Sequence, residues 1–196
     1  MPKKKSVKKA ASVFREQISE TIDFVKLSEK GLSDAHLSRL YDTAIIFLYR
    51  DFENLILEVL VGAINNDTGT IKSTLGIDFP KHLTDEVCYY IATGPSYFDF
   101  KGRDGLIKRV KQYVPDKHYL VTTLKDSKYK LSIERLCALR NFAVHGSPQS
   151  KRAVLKAIKQ TRVGSAGSWL KKQGRLHGIM NRLKELATDL ENRAPF

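Results

Sequence analysis

The run Arg140, Asn141, Phe142, Ala143, Val144, His145, Gly146 holds the side chains best suited to chemistry on a phosphate. On a helix Asn141 and His145 are four residues apart and share a face, while Arg140, five residues before His145, points partly away but has the longest reach. A guanidinium offers paired donors to non-bridging phosphate oxygens, and a histidine at a helix C-terminus stands where the dipole favours a cation. Imidazole is also the side chain that serves as general acid or base near neutral pH. All three residues can converge on one phosphate. The bare Arg-to-His spacing is common; Asn directly after Arg and a helix stopped by Gly146 and Pro148 give it weight. Stripped of that context, Arg140 would be a surface cation and His145 a helix-terminal cap.

The elements that must position these residues are legible as helical periodicities. Ala10, Phe14, Ile18, Ile22 and Val25 recur at helical spacing before a break at Gly31–Asp34. A longer stripe follows, from Leu37 through Tyr41, Ile45, Phe52 and Ile56 to Val59, with Ser33 or Asp34 able to cap it. It reads as the scaffold helix. Asn65–Pro80 is rich in Gly, Asn, Asp and Thr and reads as a loop, after which Thr84 opens a shorter helix. An aromatic insertion, Tyr97, Phe98, Asp99, Phe100, precedes a helix carrying Leu106, Ile107, Val110 and Val114. Ser127–His145 favours helix again, and two more are expected, Gln149–Val163 and Ser168–Asn192. The β-branched run Tyr119–Thr123 has no partner strand of similar length. The fold class is all-α, a helical bundle, with residues 1–9 as a mobile basic arm and 10–196 as a single helical domain.

Charge narrows the partner. Thirty-four Lys and Arg against 21 Asp and Glu leave +13, a field that draws in a polyanion, with nucleic acid the leading candidate. The distribution sharpens this: from Gly146 to Lys184 there are ten Lys or Arg and no acid, just downstream of the run above. Lys151, Arg152, Lys156, Lys171, Lys172 and Arg175 are the expected nucleic-acid-binding residues. No stretch approaches the roughly 18 uninterrupted apolar residues of a membrane span, so no membrane partner is expected; with only two cysteines, distant in sequence, a cytoplasmic location fits. Cys88 and Cys137 are distant and belong to no CxxC or Cys/His cluster, which indicates neither a disulfide framework nor a zinc site. The remaining histidines, 36, 82, 118 and 177, form no helical pair, and no metal or cofactor is assigned.

The segment Leu139–Gly146, reading LRNFAVHG, resembles the RNxxxH signature of HEPN domains, helical modules of prokaryotic toxins and phage-defence proteins. Arg50–Leu55 on the long helix resembles the pattern of the group labelled RiboL-PSP-HEPN, in which an acidic residue follows an aromatic; Tyr97–Phe100 and the Ser168–Lys171 run also look typical. The similarity spans about residues 35 to 190, and only the histidine motif is specific. The resemblance implies a HEPN-type bundle with flanking helices and metal-independent endoribonuclease activity. In that chemistry the RNA 2′-hydroxyl attacks the adjacent phosphate and leaves a 2′,3′-cyclic phosphate. It implies that His145 shuttles protons, Arg140 stabilises the phosphorane, Asn141 orients the phosphate or the histidine, and Glu53 fixes either from the neighbouring helix. It further implies a homodimer with motif helices facing, so that two copies line one cleft, and a toxin or antiviral role with an antitoxin or defence-system partner. Trp169 or Tyr97 could stack on bases. HEPN toxins paired with a nucleotidyltransferase often carry Tyr two residues after the histidine; here Ser147 stands there, so silencing by adenylylation is not indicated.

Two other readings compete. A non-catalytic HEPN module would bind RNA or a partner protein through the same basic face. A basic helical DNA-binding protein would need a helix-turn-helix with a basic second helix, and none occurs at the expected spacing.

Overall fold

The first long helix is cut where the chain runs out of apolar spacing. α1 (Val7–Ser28) buries Val7, Ala11, Phe14, Ile18, Thr21 and Val25, a stripe of threes and fours, and Ser6 Oγ opens it by accepting from the Lys9 amide at 3.2 Å. α2 (Asp34–Asn66) starts in the same way, its Ser33 Oγ accepting from the His36 amide at 3.3 Å. It runs for 33 residues, about 50 Å at 1.5 Å per residue. The remaining helices are α3 (Gly69–Leu75), α4 (Asp85–Thr93), α5 (Gly102–Val110), α6 (Tyr119–Lys125), α7 (Ser127–His145), α8 (Pro148–Ile158), α9 (Ala166–Leu170) and α10 (Arg175–Arg193). The computed structural model describes residues 5–81, 83–95, 97–98, 100–172 and 174–195, without the side chains of residues 70, 73 and 74. Every regular element among the described residues is helical, as the periodicities require.

α2 is the axis of the bundle. α1, α4, α7 and α9 pack on it, α10 packs on α1 and α7, and α8 lies along α7. Because neighbours surround it, α2 buries more than one stripe; Phe52, Ile56, Val59, Leu60 and Ile64 are all closed to solvent. Such burial is the main stabilising term for a helical body. None of the helices among the described residues is long and apolar enough to cross a membrane. Both cysteines are buried and unpaired.

Several expectations are corrected. The basic arm is shorter than residues 1–9: Lys5 pairs with Glu58 at 2.6 Å and lies over the Tyr89 ring, and Val7 is wholly buried, so the chain from Lys5 onward belongs to the helical body. Its first four residues, with His82 and Asp99, lie outside the described residues. The expected loop 65–80 contains α3, closed by Gly76 at φ 67°. α8 stops at Ile158 rather than Val163, where Lys159 turns left-handed at φ 53°. The expected final helix is two: the chain turns after Leu170 and restarts through Gly174 at φ 65°.

The β-branched run Tyr119–Thr123 is helical because both ends are held. Leu120, Val121, Thr123 and Leu124 are buried, and the buried Arg103 donates from Nε to the Leu124 carbonyl at 2.9 Å. At the other end His118 Nδ1 accepts from the Leu120 amide at 3.2 Å. Burial, opposed in part by Asp67, lowers the His118 pKa from 6.5 to about 4. The unfolded chain, with an ordinary histidine, therefore binds the proton more readily than the folded one. The associated stability is complete above pH 6.5 and drains away as pH falls towards 4. Thermal melts are expected to decline between pH 6.5 and about 5, before most carboxylates titrate. His118→Asn keeps a capping acceptor but cannot titrate, and should flatten that decline. An identical slope in the variant would remove His118 from this role.

Candidate active site

α7 is built to end where it does. Asp126 caps its start by accepting from the Lys128 amide at 3.0 Å, and Tyr129, Ile133, Leu136, Leu139 and Phe142 turn inward. Gly146, at φ 58°, closes the last turn by donating its amide to the Phe142 carbonyl at 3.0 Å. Only glycine adopts that conformation freely. Ser147 then caps α8, with Pro148 in its first turn, so the two helices join through a minimal corner.

Arg140 projects from α7 onto α2. Its guanidinium carbon lies 4.4 Å from the centre of the Tyr49 ring, and Nη1 donates to Asn141 Oδ1 at 2.9 Å. Arginine only donates, so the oxygen of the Asn141 amide must face it. The Nδ2 group is left as a donor with no protein acceptor among the described residues. Arg140 Nε is buried and also lacks an acceptor among those residues.

Glu53 and Tyr49, four apart, share the face of α2 that meets α7. Glu53 is half-buried. Its charge reaches Cys137, one turn before Arg140: burial first and Glu53 second push the thiol up to about 12, while Arg140 opposes them. Next to Tyr49, Arg50 donates twice to the buried Asp51 carboxylate, from Nε at 3.1 Å and Nη2 at 3.0 Å. Burial still holds the Asp51 pKa above the ordinary carboxylate value, with Arg50 working against it.

His145 stands apart from this cluster. Its side chain is exposed beside the exposed Val144, and no hydrogen bond joins it to Arg140 or Asn141. Within one chain Arg140, Asn141 and Glu53 are gathered at the α2–α7 contact, whereas His145 is presented to solvent at the helix end.

The six expected RNA-binding cations separate into two kinds. Lys151, Arg152 and Lys156 are exposed on α8, and Lys172 is exposed after α9. Lys171 is occupied: its ammonium sits 2.6 Å from Asp34 Oδ1 and 2.9 Å from Ser38 Oγ, with the side chain only 10% exposed, and it fastens the end of α9 to α2. Arg175 lies 4.6 Å over the Trp169 ring and donates to the Trp169 carbonyl. Of the two aromatics able to stack on bases, Trp169 is core and Tyr97 is 90% exposed.

Two further residues, Tyr49 and Arg135, belong to these surroundings without a clear mark in the sequence. Tyr49 has a weak sequence signal in its four-residue spacing from Glu53. Arg135, on α7, lies 5.3 Å from the Trp169 ring, a meeting that nothing local announces. Among the described residues no group of three or more His, Cys, Asp or Glu gathers as a metal site would require. Compared with known protein families, curated proteins and solved structures, the chain matches none.

Proposed function

We propose that the chain is a HEPN-type endoribonuclease of the toxin or phage-defence kind, acting as a homodimer and cleaving RNA without a metal. The observation that carries this reading is Arg140, braced by Tyr49 and Asn141 and holding a buried N–H without an acceptor, on the same final stretch of helix as the exposed His145. A buried unpaired donor calls for a ligand or another reason to exist, and a phosphorane oxygen is a suitable acceptor. The Nδ2 of Asn141 is a second donor. The separation of His145 from Arg140 within one chain favours a site completed by a second copy.

In the proposed reaction the 2′-oxygen bonds to phosphorus as the P–O5′ bond breaks. One proton leaves the 2′-hydroxyl and one reaches the 5′-oxygen, and His145 is the group at the site able to carry both. Arg140 and Asn141 meet the charge that builds on the non-bridging oxygens, and Glu53 orients the cluster from α2. The exposed Lys151, Arg152 and Lys156 on the adjoining helix attract the strand through its phosphates.

Purified protein incubated with single-stranded RNA in EDTA is expected to produce fragments ending in 2′,3′-cyclic phosphate and beginning with 5′-hydroxyl. Production of 5′-phosphate ends would exclude this chemistry. RNA binding without cleavage would assign the non-catalytic alternative, an RNA-binding module.

A further inference from the structure

Two adjoining cavities of about 470 and 490 Å³ meet at Trp169, Gln160 and Arg175, between α8, α9, α10 and the N-terminal half of α7. Among the described residues neither lining contains an acid. The cations bordering them include Arg135, Lys151, Arg162, Lys172 and Arg175, and among the described residues none of these five has a carboxylate within 4.0 Å. This is not for want of acids nearby, since Lys128 and Arg182 at the far edge are paired with Asp189 and Glu185.

The arrangement around Trp169 is specific. Arg175 and Arg135 place their guanidinium carbons 4.6 and 5.3 Å from one indole ring. Among the described residues each is held by a single backbone acceptor, the Trp169 carbonyl at 3.2 Å for Arg175 and the Ala157 carbonyl at 3.4 Å for Arg135. Most of their donors are left without a protein acceptor among the described residues. Trp169 is only 6% exposed, yet its indole N–H also has no acceptor among the described residues. Burial and then the charge of Arg175 lower the pKa of Arg135, so the two like charges oppose one another. Two guanidinium groups brought together without a counter-ion are stabilised by an anion that accepts from both. A phosphoryl group, with several oxygens and up to two charges, matches their planar forks better than a single carboxylate.

We propose that this cleft is a phosphoryl-binding site, centred on Arg135, Arg175 and Trp169, with Lys172, Lys151 and Arg162 at its mouth. The site is distinct from the Arg140 cluster. Arg135 lies five residues earlier on α7, about 140° around the helix from Arg140, and Arg140 faces α2 instead. Its ligand is either a backbone phosphate of a bound RNA strand or the phosphate of a free nucleotide. The inference does not require the chain to cut RNA.

Trp169 is the single tryptophan of the chain, so its emission reports on the site directly. Inorganic phosphate, a nucleoside 5′-monophosphate and an uncleavable 2′-O-methyl oligonucleotide without terminal phosphates should be titrated at matched ionic strength. A saturable change in emission is expected with at least one of them. Arg135→Gln and Arg175→Gln should each weaken it roughly tenfold, and Lys172→Gln, on an exposed side chain that bears no packing, by a few-fold. Saturation by the oligonucleotide identifies a strand phosphate; saturation by the mononucleotide or inorganic phosphate alone identifies a free ligand. No saturable change with any of the three, or equal affinity in wild type and Lys172→Gln together with Arg175→Gln, overturns the proposal. Because the readout involves no cleavage, failure of the ribonuclease reading leaves this test intact.

Discussion

His145→Ala is expected to reduce RNA cleavage by about 10²–10⁴-fold, the range for removing a positioned general acid or base. Arg140→Ala is expected to cost about 10²–10³-fold, as for removal of one donor to a developing oxyanion. The two losses should differ in origin. His145 is exposed, so its removal should leave the melting temperature nearly unchanged and act on turnover. Arg140 is half-buried over Tyr49 and bonded to Asn141, so truncation also loosens the α2–α7 contact. Arg140→Lys separates these effects: an ammonium keeps the charge but cannot reproduce the planar fork, and it should recover binding of RNA more than cleavage. Cleavage that persists at the wild-type rate in His145→Ala would falsify the assignment. Growth inhibition on expression, relieved by His145→Ala, is the expected cellular counterpart for a toxin.

The other large effect concerns the fold. Gly167 sits where α9 presses on α2, and a Cβ built there would lie 1.8 Å from the Ser38 carbonyl oxygen, 2.7 Å from the Ser38 carbonyl carbon and 2.9 Å from the Asp42 amide nitrogen. All three are backbone atoms tied into the hydrogen-bonded α2 helix, so none can swing away as the end of a side chain could. The Gly167 amide meanwhile donates to Asp42 Oδ1 at 2.6 Å, a bond that lowers the pKa of a carboxyl otherwise raised by burial.

Overpacking typically costs about 1–3 kcal/mol. With an immovable neighbour Gly167→Ala is expected to exceed about 3 kcal/mol, or roughly 10 °C in melting temperature for a chain of this size. Gly178→Ala supplies the contrast. It lies in α10 and, among the described residues, nothing outside its own helix backbone and chain neighbours comes within 4 Å of its Cβ position, so it should stabilise by about 0.5–1 kcal/mol. A Gly167→Ala protein that melts within about 2 °C of wild type would show that α9 can move off α2. Because the same short helix carries Trp169, its displacement should also abolish the emission change that reports on the phosphoryl cleft.

Three of the long helices, with the start of α2 and the end of α7, are written in the sequence. α1, α2 and α7 were legible because their apolar stripes recur within three or four residues, and because Ser33, Thr84 and Gly146 act on backbone groups no further away. Their ends are local events, and local chemistry suffices to read them. α3, α6 and the split between α9 and α10 were not legible. A helix of five or seven residues has too few internal hydrogen bonds to offset its ordering cost alone. α6 forms because Arg103, 21 residues upstream, reaches the Leu124 carbonyl, and α9 is held on α2 by the Gly167 amide donating to Asp42 Oδ1, 125 residues away.

The candidate site divides along the same line. The order of Arg140, Asn141 and His145, and the excess of positive charge after Gly146, are properties of the chain. Which cations remain available is not. Lys171 finds Asp34 at a separation of 137 residues, Arg140 finds the ring of Tyr49, and Arg135 and Arg175 converge on Trp169 without an acid between them. Composition sets the sign of a charge, but whether it is neutralised depends on which distant side chain the packing brings within hydrogen-bonding reach. That outcome belongs to the tertiary structure.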